Sequence, residues 1–226
     1  MNEIHPTAII EGDVELGEGN VIGPYCILKG PLRVGDDNQI GPHVCIGTPG
    51  QDTRNPRYDS SECRIEIGSR NIFREFTAIQ KPCYRDITRI HDDVFLMQSV
   101  HIPHDAILED KVVITPMCVL GGIAHVMVGA TLGMGCSVHQ YSVIGAYSIV
   151  ATNSAVIKNI RPFSRHIPNR PISVNTYAID KFGFGDEAEA IEAWVLNDEL
   201  PPEGPARTII DRWIEMHEAS GRRQYR

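Results

Sequence analysis

Ile114-Thr115-Pro116-Met117-Cys118-Val119-Leu120-Gly121-Gly122-Ile123-Ala124-His125-Val126 returns an aliphatic side chain at every sixth place. The beat extends back through Leu108, Ile102, Leu96 and Ile90, and forward through Leu132, Val138, Ile144, Val150 and Val156. A second run holds Ile4, Ile10, Leu16, Ile22, Leu28, Val34, Ile40 and Ile46. Branched aliphatics fill about a quarter of positions in an ordinary chain, so chance does not produce such runs. The period matches neither an α-helix nor an alternating strand. It is the mark of a hexapeptide-repeat solenoid, a parallel β-helix.

Each hexad then makes a short strand and a corner, about three hexads close one triangular coil, and coils stack through parallel ladders. The aliphatic residue points inward. Small residues two places before it, such as Cys118, Ala124, Ala130 and Cys136, fit the narrow corners, and glycine often follows it, as at Gly121, Gly133 and Gly145. The expected fold is mainly β, a β-helix over residues 1–171 with a short C-terminal α-helical cap in 172–226. Two register breaks, near 48–64 and 81–89, predict loops thrown out from corners; such insertions often carry binding functions. Past Tyr177, apolar spacing of three and four predicts helices over 187–196 and 206–217, parted by Pro201-Pro202-Glu203-Gly204-Pro205. That cap would cover the prism's last, unpaired strands.

The 226 residues suffice for one sizeable core. A net charge of −8 argues against nonspecific nucleic-acid binding. No signal peptide and no membrane-spanning apolar run is visible, so a cytoplasmic protein without a transmembrane segment is expected. Cys26, Cys45, Cys63, Cys83, Cys118 and Cys136 form no C-x-x-C pair and read as reduced thiols.

Chemistry concentrates in Ser99-Val100-His101-Ile102-Pro103-His104-Asp105, Ala124-His125-Val126 and Ser137-Val138-His139-Gln140-Tyr141. With Ile102, Val126 and Val138 inward, the histidines stand at outer or corner positions. Several of them on neighbouring coils suggest a site rather than separate structural roles.

These segments, with Ile4-His5-Pro6-Thr7-Ala8 and Arg64-Ile65-Glu66-Ile67-Gly68-Ser69-Arg70-Asn71, resemble the UDP-N-acetylglucosamine O-acyltransferases that begin lipid A synthesis, over nearly the whole chain. The family's H-I-A-H-D motif reads His101-Ile102-Pro103-His104-Asp105, its A-G-H-V reads Ile123-Ala124-His125-Val126, and its V-H-Q-F reads Val138-His139-Gln140-Tyr141. The resemblance implies a left-handed coil, a homotrimer with intersubunit clefts, no bound cofactor or metal, and transfer of a 3-hydroxyacyl chain from acyl carrier protein to the sugar 3-hydroxyl. It makes His104 the general base; an unperturbed imidazole titrates near pH 6.5, so the neutral form is available. Asp105 would orient that ring, and the backbone amide of Ala124, where the family has glycine, would hold the oxyanion. Asp52 and His101 would contact the sugar, His125 the acyl chain or sugar, and His139, Gln140 and Asn169 the nucleotide. Arg57 would replace a family lysine near Asp52, and Thr152 would stand where acyl length is measured. Gln80 replaces a family histidine, and Asp180-Lys181 an arginine pair that contacts nucleotide phosphate.

Three other readings compete. An N-acyltransferase on a nucleotide-linked amino sugar would use an acyl-CoA thioester with the same kind of histidine base. A γ-type carbonic anhydrase would need three histidine nitrogens around zinc at about 2.0–2.1 Å. His101 and His104 are too close in sequence for that, and His139 lacks a second histidine nearby. A non-catalytic scaffold would leave the outer histidines unexplained.

Overall fold

A computed structural model describes residues 1–59 and 61–225. Its strands, mostly two or three residues long, fall into three parallel sheets of ten, eight and seven strands, the three faces of a prism. On the first face Phe95 pairs with Val113, Val113 with Thr131, and Thr131 with Ile149, each three hexads on. One coil is therefore three hexads, as the period requires.

The repeat works because its aliphatic positions stack. Leu96, Ile102, Leu108, Ile114, Leu120 and Val126 are all buried in one continuous core with the corner residues Cys118, Ala124, Ala130 and Cys136. All six cysteines are free thiols. Ile4 and Ile10 sit on the uncovered first coil and stay 44% and 39% exposed, since no coil lies beneath them.

Pairings across two stretches of the chain span more than three hexads, as between Cys45 and Ala78 and between Arg64 and Ile87. The surplus chain leaves as loops, one between the strands Cys45–Thr48 and Arg64–Ile67, the other between Ala78–Gln80 and Ile87–Ile90. Arg57 ties the loops together: its Nη2 donates to Asp86 Oδ1 at 2.7 Å.

Beyond the last coil come α1 (Thr176–Lys181), α2 (Ala188–Asn197) and α3 (Pro205–Ser220). Proline at the first position of α3 fits a helix start, where its missing N–H is no loss. Ile191, Trp194, Ile210 and Trp213 from α2 and α3 form a second core with Met127, Val143, Ala146 and Phe163 of the solenoid. The helices thus lie against the flank of the third face. The open strand edges at the prism's end are taken by other segments. Ser173–Val174 runs antiparallel to Ser164–His166 on the first face, and Gln224 bridges to Asn159 beyond the third. Tyr225 Oη accepts the Ile157 N–H at 3.0 Å beside the second face.

Candidate active site

His104 sits on the corner between the second and third faces, after the strand His101–Ile102 and before Ile107–Leu108. Its Nδ1 donates to Asp105 Oδ2 at 2.7 Å. Asp105 is buried and in the left-handed backbone region, φ 63°, which turns its carboxylate back beneath the second loop. There it accepts the backbone N–H of Arg85 at 2.7 Å, of Tyr84 at 3.0 Å and of Cys83 at 3.2 Å, while its own N–H goes to Thr88 Oγ1. Burial by itself would raise this carboxyl's pKa; the bonds from His104 and the three amides outweigh it and hold the group ionised, below the usual carboxylate range. An anion fixed in this way sets both the ring orientation and the Nδ1 proton, leaving Nε2 as the acceptor.

The other side of the imidazole rests on Gly122. A Cβ at Gly122 would lie 2.2 Å from His104 Cε1 and 2.4 Å from Nε2, so only glycine leaves room for the ring. The Ile123 N–H donates to His104 O, and the Tyr141 N–H to Gly122 O, so consecutive coils stack His104, Gly122 and Gln140-Tyr141 into one corner column. Within that column the Gly122 amide donates to no backbone or side-chain acceptor among the described residues. Tyr84 closes the top, its ring 5.4 Å from that of His104.

The geometry does not offer the Ala124 amide to His104. Ala124 lies fully inside the prism, and its N–H turns back to Gly121 O, so it presents nothing to His104. Hexad counting places Gly122 in line with His104: Gly122 follows inward Leu120 by two places, as His104 follows Ile102 and Gln140 follows Val138. Matching the letters Ala-His-Val conceals that register.

Other residues separate into groups. His101 and the first loop stand on the approach to His104: His101 Nε2 is 3.5 Å from Gln51 Nε2, and Asp52, paired with Arg54 at 2.7 Å, lies within electrostatic reach of the His104 ring. Burial lowers the His101 pKa, favouring the neutral ring. Arg57 faces Asp86 rather than Asp52. His125 lies around the corner on the third face, 2.5 Å from Glu109 Oε1, and Arg212 of α3 also grips that carboxylate at 2.6 Å. His139 and Gln140 are exposed on the corner column. Asn169 is exposed in the turn before Ser173–Val174, and Thr152 is exposed on the corner between the first and second faces. Neither meets His104 within one chain. Sequence reasoning missed Gly122, the three loop amides, Glu109 and Arg212; the last three depend on contacts between distant segments.

A metal would find one compact donor group among the described residues, Cys83, His104 and Asp105, with ligand atoms within 4.8 Å of one another. It suits a metal poorly. Burial, aided by the Asp105 charge, pushes the Cys83 thiol up to about 11, and Asp105 is already occupied by amide donors. Among the described residues of one chain the histidines do not gather as three ligands: His101 lies 3.5 Å from Gln51 Nε2, and His139 bonds Arg222.

No family profile matches the chain. A curated relative from Herminiimonas arsenicoxydans is 38% identical over 206 residues, covering 83% of this chain and 79% of its own. One from Thiobacillus denitrificans is 39% identical over 210 residues, covering 83% and 80%. Both are named acyl-(acyl-carrier-protein)–UDP-N-acetylglucosamine O-acyltransferase. Among solved structures, a UDP-N-acetylglucosamine acyltransferase from Campylobacter jejuni superposes with a TM-score of 0.75 at 24% identity, over 94% of this chain and 90% of that one. Another from Bacteroides fragilis gives 0.72 at 23%, over 100% and 98%. The shared fold is the left-handed parallel β-helix. By relatives of this identity and coverage, the chain belongs to the UDP-N-acetylglucosamine O-acyltransferase family.

Proposed function

We propose that this chain transfers a 3-hydroxyacyl group from an acyl carrier protein thioester to the 3-hydroxyl of UDP-N-acetylglucosamine, the first step of lipid A synthesis. The observation that carries the reading is the convergence of His104 Nε2, freed by the Asp105 bond to Nδ1, with the unengaged Gly122 amide. Nε2 takes the sugar hydroxyl proton as the oxygen attacks the thioester carbonyl. The Gly122 N–H holds the resulting oxyanion. Collapse breaks the carbon–sulfur bond, and the imidazolium returns its proton to the departing thiolate. Neither metal nor cofactor has a step here.

His101 and Asp52 are proposed sugar contacts, supported by their place on the approach to His104. His139 and Gln140 are proposed for the nucleotide, one step along the same column. The assembly is proposed to be a homotrimer in the cytoplasm. Supporting it, the corner between the first and second faces carries an exposed column in which Tyr25, His43 and Phe76 stack at 5.1 Å, continued by exposed Met117 and Met134. Among the described residues no helix is long and apolar enough to cross a membrane. In a trimer the edge bearing Thr152 would come from a neighbouring copy, which is where an acyl-length role would act; Asn169 would reach the nucleotide in the same way.

The test offers purified protein UDP-N-acetylglucosamine with a 3-hydroxyacyl donor on acyl carrier protein or on CoA. Ester formation at the 3-hydroxyl from the carrier-protein donor is expected. Amide product, or transfer from CoA alone, would favour the N-acyltransferase reading.

A further inference from the structure

We propose that Arg222, in the tail beyond α3, binds phosphate together with His139, so that the C-terminal tail completes the nucleotide site. Arg222 Nη1 donates to Ile157 O at 3.0 Å and Nη2 donates to His139 Nδ1 at 2.6 Å. No carboxylate meets this guanidinium among the described residues, whereas Arg33, Arg54, Arg57, Arg64, Arg70 and Arg89 each have one. Its Nε is buried and has no partner among the described residues. A guanidinium cannot accept a hydrogen bond, so His139 Nδ1 must be the acceptor and the ring proton sits on Nε2. The Gln140 carbonyl, 3.3 Å from the same Nδ1, would require the opposite tautomer; the shorter contact with an obligate donor decides it. Two donor groups thus stand side by side without an anion, and a phosphate oxygen supplies what both lack.

The surroundings fit that ligand. His139 is one residue from Gln140 on the corner that carries His104, and the next residue, Tyr141, lines a cavity of about 540 Å³. Arg85 and Arg212 also line it, as does Ser220, whose Oγ accepts the Arg222 N–H at 3.2 Å. Glu215 is the acid in this lining, while Glu109 nearby is neutralised by Arg212 and His125. The tail is held firmly enough to serve: the Asn159 N–H donates to Arg223 O at 2.7 Å, and the Tyr225 ring lies 4.1 Å from that of His166.

This inference rests on the proposed nucleotide-sugar substrate, and the experiment separates the two. Wild type, Arg222→Ala and Arg222→Lys are titrated calorimetrically with UDP, uridine and inorganic pyrophosphate, and their kcat and KM for UDP-N-acetylglucosamine are measured. Loss of a charge-assisted contact predicts UDP binding weaker by about 10-fold or more in Arg222→Ala, with KM raised in step, kcat little changed and uridine affinity unaffected. Arg222→Lys should recover part of the loss. A merely structural tail would weaken uridine and UDP alike, which overturns the proposal, as does UDP affinity equal to wild type in Arg222→Ala. Arg222-dependent pyrophosphate binding without any sugar acylation would uphold the phosphate site and overturn the proposed reaction instead.

Discussion

Replacing Gly122 by alanine should disable the enzyme while sparing its fold. The new Cβ would stand 2.2 Å from His104 Cε1, 2.4 Å from Nε2 and 3.0 Å from Nδ1. Carbon contacts settle at about 3.5–4.0 Å, so the ring must retreat by about 1 Å or more. Gly122 does not have a left-handed φ, so alanine adds no backbone strain, and the imidazole, 16% exposed at the corner, can yield toward solvent. A displacement of about 1 Å can cost about 10²-fold in rate, or about 2.7 kcal/mol of transition-state stabilisation. The oxyanion amide shifts with it, so kcat should fall by at least about 10²-fold while Tm stays near wild type. Gly121→Ala is the control of opposite kind. Its Cβ meets the Gln140 backbone N at 2.5 Å, which cannot yield, so stability should drop. Steady-state kinetics beside thermal unfolding reads both. Wild-type kcat in a folded Gly122→Ala enzyme would refute the reasoning that the ring and this glycine share one small space.

Asp105→Asn should lower kcat and loosen the second loop together, because an amide cannot accept from His104 and three backbone donors as the carboxylate does; hydrogen exchange at Tyr84 and Arg85 should accelerate, and unchanged exchange would count against the anchor. Acid should destabilise the protein in two stages. Burial lowers the pKa of His101, His166 and His217, so the unfolded chain takes up their protons first, and Tm should start to fall as pH drops below about 6.5. The depressed carboxyls of Asp105 and Glu109 contribute stability that is present above their unfolded values near pH 4 and lost as pH falls through the folded ones. A Tm flat from pH 7.5 to about 5 would contradict the first stage. Thr152→Gly should shift donor preference toward longer acyl chains, each accommodated methylene adding about 0.8 kcal/mol; superimposable chain-length profiles would remove Thr152 from the acyl groove.

The solenoid was legible because one residue in six obeys a single rule, and stacking makes that rule local. Leu120 is inward because it is the sixth after Ile114, whatever else the chain does. His104 and Asp105 were legible as adjacent letters. Gly122 was not read from its motif because the Ala-His-Val match outweighed the register, and the fold restores the register by packing Leu120 beside Val138. The three amides on Asp105 come from a loop about twenty residues upstream, and Arg222 reaches His139 across eighty-three residues of sequence. Hexad periodicity says nothing about where a loop or a tail returns. Arg57 illustrates the same limit: its neighbours in sequence include Asp52, but the fold gives it Asp86.

The central claim is that His104, held by Asp105 and seated on Gly122, is the base for acyl transfer. Single-turnover transfer from a 3-hydroxyacyl carrier-protein donor to UDP-N-acetylglucosamine, measured on wild type and His104→Ala, tests it most directly. The account predicts a fall of about 10²–10⁴-fold in the chemical step, with UDP affinity and thermal unfolding unchanged. Transfer by the folded His104→Ala protein at the wild-type rate would contradict it.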